Sequence, residues 1–240
     1  MSTRLKISEN YLEAEGVLVP FDPAIITPPI EHAIKSGFFE AEEAAQLPFI
    51  VRKNDTVLDI GAGIGFISTL IARRAKRVIS VEANPDLMPF MQALHKLNNV
   101  GNVTALNVVL GDGESATFYQ REDFWMGSLS QGPNPYNAKI KVPTMPLGGL
   151  LKAEGVSLIV CDIEGAETFL FEDVDLAEVD RVYLELHDHI TGLKGISKVF
   201  AAMSERGFTY DPRHSSGAIV LFRKVEANET LRPYARLNIT

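Results

Sequence analysis

Four short strings hold the side chains that could do chemistry. In Val57-Leu58-Asp59-Ile60-Gly61-Ala62-Gly63-Ile64-Gly65-Phe66, an apolar run ends in alternate glycines and passes straight into a helical pattern. Bare backbone at such a turn lets a ligand lie against the unpaired N–H groups of a helix N-terminus. Asp59 stands two residues before the first glycine, where a carboxylate suits a cationic ligand and would repel a pyrophosphate. The Gly-x-Gly-x-Gly spacing also departs from the Gly-x-Gly-x-x-Gly of dinucleotide binding. Glu82 closes the next apolar run, in Val81-Glu82-Ala83-Asn84-Pro85. A carboxylate there can accept hydrogen bonds from both hydroxyls of a ribose, each worth about 1.5–3 kcal/mol. A third string, Val160-Cys161-Asp162-Ile163-Glu164-Gly165-Ala166-Glu167, ends another run in acids. In the fourth, Tyr183-Leu184-Glu185-Leu186-His187, alternation puts Tyr183, Glu185 and His187 on one face, a carboxylate beside an imidazole. An imidazole titrates near neutrality, so His187 is the expected general base, oriented by Asp162 or Glu185.

These strings need a scaffold that brings them to one edge. From Thr56 onward, β-branched runs alternate with helical patterns, the signature of an α/β fold with a largely parallel sheet. Parallel strands are expected at 56–61, 77–83, 103–110, 156–163 and 181–187, with helices at 65–75, 85–98, 147–153, 166–171 and 196–206. The runs at 208–210 and 218–223 are joined by a link too short for a helical crossover and read as an antiparallel hairpin. The expected fold is therefore α/β: a class I methyltransferase Rossmann-like sheet of five parallel strands plus a C-terminal antiparallel hairpin, with helices on both faces. Residues 1–54 read as an N-terminal extension packing on the core, with one helix candidate at 39–47. Residues 55–224 form the main domain, and 225–240 a C-terminal tail. The 121–146 stretch, rich in Gly and Pro around Phe124-Trp125-Met126, reads as a lid-like insertion.

Taken together, Asp-x-Gly-Ala-x-x-Gly after the first strand, Glu-x-x-Pro after the second, Asp-x-Glu-Gly-Ala-Glu after the fourth and Glu-x-His after the fifth resemble the FkbM-type S-adenosylmethionine-dependent methyltransferases. The resemblance runs from about Phe38 to Lys224, and Gly63 and Val160 stand where that family often has Asn and Lys. It implies S-adenosylmethionine (AdoMet) as cofactor and methyl transfer to an oxygen of a natural product or sugar. Asp59, Gly61, Gly63 and Glu82 would hold the cofactor, with Gly65, Ala83 and Asp162 counted beside them. Asp162, Glu164, Glu185 and His187 would face the acceptor. The alternatives are a cofactor-binding module without catalysis, or transfer to a nitrogen or carboxylate. No spacing among the acids and histidines identifies a metal site, so none is expected.

Composition narrows the partners. The 23 Lys and Arg stand against 31 Asp and Glu, a net charge of −8. Without a basic block, an electrostatic grip on a nucleic-acid backbone is not expected. No apolar run is long enough for a membrane span. A single cysteine and the charged start of the chain suggest a cytoplasmic protein acting on a small hydroxylated molecule.

Overall fold

The computed structural model describes residues 10–132, 134–176 and 178–225. Apart from Val225, the expected tail lies outside the described residues, as do residues 1–9. The N-terminal region forms a hairpin, β1 (Tyr11–Ala14) and β2 (Val17–Pro20), and two helices, α1 (Pro28–Ser36) and α2 (Ala41–Ile50). The core follows with β3 (Thr56–Ile60), α3 (Phe66–Ala72), β4 (Arg77–Val81), α4 (Met88–Leu97) and β5 (Val103–Leu106). A short β6 (Val109–Leu110) leads to β7 (Ser115–Gln120) and β8 (Ala138–Met145). Then come α5 (Leu147–Glu154), β9 (Leu158–Cys161), α6 (Glu167–Leu170), β10 (Arg181–Glu185), α7 (Asp188–Glu205), β11 (Phe208–Tyr210) and β12 (Ile219–Lys224).

The main sheet has the order β11-β12-β10-β9-β3-β4-β5. The five strands from β10 to β5 are mutually parallel, and β12 runs antiparallel to both β10 and β11. This is the expected class I methyltransferase arrangement. The C-terminal pair is a hairpin, but β12 inserts between β10 and β11, so β12 alone runs against the sheet. Strands buried on both faces read as continuous apolar runs, and Leu158-Ile159-Val160-Cys161 is buried throughout. Alternation sends Val57, Val78, Leu158 and Tyr183 into one core with Leu47, Phe66 and Phe90. Leu58, Ile79, Val182 and Leu184 enter the other, with Leu150, Leu170 and Met203. Helices therefore cover both faces.

Several strands stop short of their expected ends, at Val81, Cys161 and Glu185. Glu82, Asp162 and His187 leave the ladder there and form the ligand edge. The 103–110 run breaks at Asn107, whose side-chain amide donates to the carbonyls of Glu82 and Ala83 at 2.9 and 3.0 Å. The last long helix begins at Asp188, eight positions ahead of the 196 expected, with a break at Gly192 (φ 63°, ψ 178°). Residues 17–51 share the core of α3 and α4. Arg181 ties α2 to the sheet: its guanidinium donates to the Ile50 carbonyl and pairs with Asp55 at 2.6 Å, both side chains buried.

The segment expected as a lid, 121–146, ends in a strand. Its end, β8, pairs antiparallel with β7 from Ser115↔Pro143 to Gln120↔Ala138, leaving 121–137 as an irregular connection. Buried Arg121 donates to the carbonyls of Met126 and Ser130, and the Ser128 hydroxyl to that of Glu164 at 3.1 Å. Among the described residues no helix is long and apolar enough to cross a membrane.

Candidate active site

The glycine turn after β3 is pressed between two strand ends. The N–H groups of Gly61 and Ala62 donate to the Val81 carbonyl at 2.9 and 3.0 Å, tying the turn to β4. At Gly61 (φ 84°) a Cβ would fall 1.7 Å from the Asp162 carbonyl oxygen, so only glycine lets β9 end this close. Gly63 lies against the Phe124 ring. Gly65, expected in the cofactor set, instead packs toward α4, where a Cβ would meet Met91 and His95 at 2.6 and 2.8 Å. It allows the helices to approach and does not line the cleft.

Glu82 is held by backbone. One carboxylate oxygen accepts the Gly63 N–H at 2.8 Å and the other the Asn84 N–H at 2.6 Å. Burial nevertheless outweighs these donors and pushes its pKa up to about 7. Asp59 lies beneath the turn, 3% exposed, and accepts the Ser68 hydroxyl, which also meets the Ser80 hydroxyl at 2.7 Å. Burial raises Asp59 to about 7 as well.

The cleft over this turn runs from Ala83, Leu110, Phe118 and Leu129 past Gly61 and Gly63 to Asp162, Tyr183 and Glu185. Every charged side chain lining it is a carboxylate. Two of these, Glu40 and Glu43, come from the start of α2 and escaped the sequence reading, because acids in a first helical turn have the helix dipole as sufficient reason. Burial first, then the carboxylates of Glu185 and Asp162, push Glu43 up to about 7. Glu40 is raised by burial and by the same acids. The Tyr183 ring is buried, and its hydroxyl has no hydrogen-bond partner.

His187 does meet Asp162: Nε2 lies 3.3 Å from Asp162 Oδ1 and 3.9 Å from Glu164 Oε2. On the other side, buried Glu167 accepts the His187 backbone N–H at 3.0 Å and stands 3.4 Å from Nδ1. Burial opposes a charge on the ring, but the carboxylates of Asp162 and Glu167 outweigh it and hold the imidazole up to about 11. The ring is a cation at neutral pH. Glu167 is lowered by the same pairing, although burial alone would raise it. One donor atom each from Asp162, Glu185 and His187 lie within 4.8 Å of one another, a spacing that a metal ion could bridge. Cys161 is buried and free, with its thiol raised by burial.

The residues at this edge suit AdoMet in charge: Glu82 could take its ribose, Ala83, Leu110 and Phe118 offer its adenine an apolar wall, and carboxylates line the stretch where its sulfonium would lie. The sheet order is that of the class I AdoMet-dependent methyltransferases. A family model for the TRM5/TYW2 methyltransferase domain matches residues 35–129, less than half of the chain. Over 96 residues the chain is 33% identical to a probable ribosomal RNA small subunit methyltransferase A of Methanosarcina acetivorans, covering 37% of this chain and 34% of that protein. Over 63 residues it is 43% identical to the protein-L-isoaspartate O-methyltransferase of Methanoculleus marisnigri, covering 26% and 27%. The crystal structure of Trm5b from Pyrococcus abyssi superposes with a TM-score of 0.51 at 16% identity, over 91% of this chain and 56% of that one. The chain spans less than two thirds of the length of the curated relatives it matches.

These likenesses overturn one expectation. The chain was expected to act on a small molecule and to have no nucleic-acid partner, on the strength of its charge of −8. A probable ribosomal RNA small subunit methyltransferase is 33% identical to this chain over 96 residues. Net charge sums over a whole surface and does not report how a base edge is read in a cleft.

Proposed function

We propose that this methyltransferase acts on RNA, taking a nucleobase into the cleft between α2 and the ends of β9 and β10. The observation that carries the reading is the wall itself: Glu43, Asp162 and Glu185 line the acceptor side with no Lys or Arg beside them. Such a wall repels phosphate and accepts hydrogen bonds from the N–H groups of a base edge, as carboxylates do for cytosine amino groups. The base would have to be unstacked to enter, as enzymes that modify bases require. The TRM5/TYW2 family match and the ribosomal RNA relative support the same acceptor class.

AdoMet supplies an electrophilic methyl on a sulfonium, and the protein supplies position and a proton acceptor. His187, held as a cation, orients Asp162 and balances its charge. The base role then falls to the carboxylates that line the cleft, Glu185 and Glu43, each with its proton affinity raised by burial and by neighbouring acids, so that an ionised one can accept a proton leaving the acceptor. Transfer to a hydroxyl oxygen is the second reading. It is favoured by the resemblance of Asp162–Glu167 to the FkbM motif, a stretch outside the 35–129 family match. The same carboxylates would accept an O–H proton. No divalent metal is proposed for either reading: His187 Nε2 stands 3.3 Å from Asp162 Oδ1 and can balance its charge.

The test is methyl transfer from radiolabelled AdoMet into total RNA, followed by nucleoside analysis. Label in a ring-nitrogen methylated nucleoside supports the first reading, and label in a methoxy group supports the second. Label absent from RNA under conditions of AdoMet turnover overturns both. A strong chelator in a parallel reaction should leave turnover unchanged.

A further inference from the structure

We propose that Glu40 receives the α-ammonium of AdoMet, so that the N-terminal region and not the core strands completes the methionine end of the cofactor site. The inference concerns the cofactor alone and stands apart from the identity of the acceptor.

The sheet order fixes the direction in which the cofactor lies. Glu82 ends β4, the glycine turn follows β3, and Asp162 follows β9, in that spatial order. With a ribose at Glu82, the chain of atoms leading to the sulfonium crosses the turn toward β9, two strand spacings or about 10 Å away. The methionine end therefore comes to rest where α2 begins. Glu40 stands at that point, lining the cleft together with Gly61, Gly63 and Asp162.

Glu40 is also held in place. Its backbone is left-handed (φ 52°), a conformation that is unfavourable for an L-residue and rare outside Gly, Asn and Asp. The preceding Phe39 is buried, meets the Phe66 ring edge-on at 5.2 Å and stacks on Trp125 at 6.2 Å. An unfavourable conformation locked by packing on both sides points to a side chain whose direction matters.

The other acid placed for the ammonium is Asp59, which the sequence favours. In the fold it lies beneath the turn and is committed to the Ser68 hydroxyl, itself bonded to Ser80. Glu40 has no cation beside it: the groups acting on its carboxylate are Asp162, Glu43, Glu185 and Asp59, all acids. Glu40, Glu43, Asp162 and Glu185 crowd one half-buried stretch of the cleft wall, a placement that favours a cation, and AdoMet carries two positive charges, the ammonium and the sulfonium. A second sign of a missing ligand is the Tyr183 hydroxyl, in a residue 1% exposed, lining the same cleft without a partner.

The experiment compares wild type and Glu40→Gln by calorimetric titration with three ligands. These are S-adenosylhomocysteine, decarboxylated AdoMet, which keeps the ammonium, and 5′-methylthioadenosine, which lacks both ammonium and carboxylate. The exchange should weaken the first two by about tenfold or more, as expected for a lost bond to a charged group, and leave 5′-methylthioadenosine within about twofold. Equal weakening of all three means that Glu40 only supports the turn, and unchanged binding of all three removes it from the site. Either result overturns the proposal. Weakening of S-adenosylhomocysteine without decarboxylated AdoMet would assign Glu40 to the carboxylate end and overturn it too. Asp59→Asn is the control, expected to weaken all three ligands together, and thermal melts establish that each variant is folded.

Discussion

The two ends of the cleft handle buried carboxylates in opposite ways. At the β3–β4 end, neutral groups satisfy each acid: Glu82 takes two backbone N–H groups and Asp59 takes a serine hydroxyl. At the β9–β10 end, charge answers charge: His187 lies between Asp162 and Glu167, while Glu43 and Glu185 face one another across the gap. Neutral donors hold a carboxylate in one orientation, ready for a ligand that is the same in every catalytic cycle. An ion cluster is rigid only while all its members are present. The family model matches residues 35–129, which hold the first end, and stops before the second.

The largest effect should follow from breaking the ion cluster. His187→Ala leaves Glu167, 1% exposed, buried without its cation, and losing one member of a buried pair costs about 3–5 kcal/mol. Chemical denaturation of the variant should show a loss of that size. The folded pKa of the ring is raised to about 11, so the stabilisation is complete below its unfolded pKa of about 6.5. The difference between wild type and variant should shrink progressively as pH rises from there toward 11. A difference that stays constant over that range would mean the ring is neutral in the fold.

At the other end, Glu82→Ala should spare the fold and damage binding. Removal of bonds worth about 1.5–3 kcal/mol each predicts at least a tenfold loss of AdoMet affinity by calorimetry. Stability should change little, because burial already disfavours the charge that the substitution removes. If stability falls as far as in His187→Ala, the two ends are not different in kind.

The smallest effect is a proton count. Acids raised by burial bind protons in the fold that they release on unfolding, so the free protein should lose stability as pH rises from about 4.5 to about 7. A cation arriving beside Glu43 reverses this, and at pH 7 AdoMet should displace on the order of half a proton from it. Titrations in buffers of different ionisation enthalpy measure the release. S-adenosylhomocysteine, whose sulfur is uncharged, should release less, and Glu43→Gln should lower the release for AdoMet.

Local pattern determined a good deal of this protein. The alternating runs announced the parallel strands, and the Gly-x-Gly-x-Gly turn with Asp59 and Glu82 announced AdoMet, because strand, turn and helix here are consecutive in the chain. The residues flagged at 162, 185 and 187 also meet, since each ends a strand and parallel strands end on one edge. Tertiary structure decided the rest. Glu40 and Glu43 reach the cleft because α2 packs on α3 through Phe39, Leu47 and Ile50, and Arg181, far along the chain, binds its end. Gly65 proved to be a packing residue because α4 folds back over it. The protonation of His187 depends on Glu167, twenty residues away and brought close by β10 and α6, so a ring that reads as a base in the sequence is a cation in the fold. Periodicity encodes what lies within one element or at its end. The sign and strength of a charge come from neighbours assembled across elements, and only the folded chain specifies them.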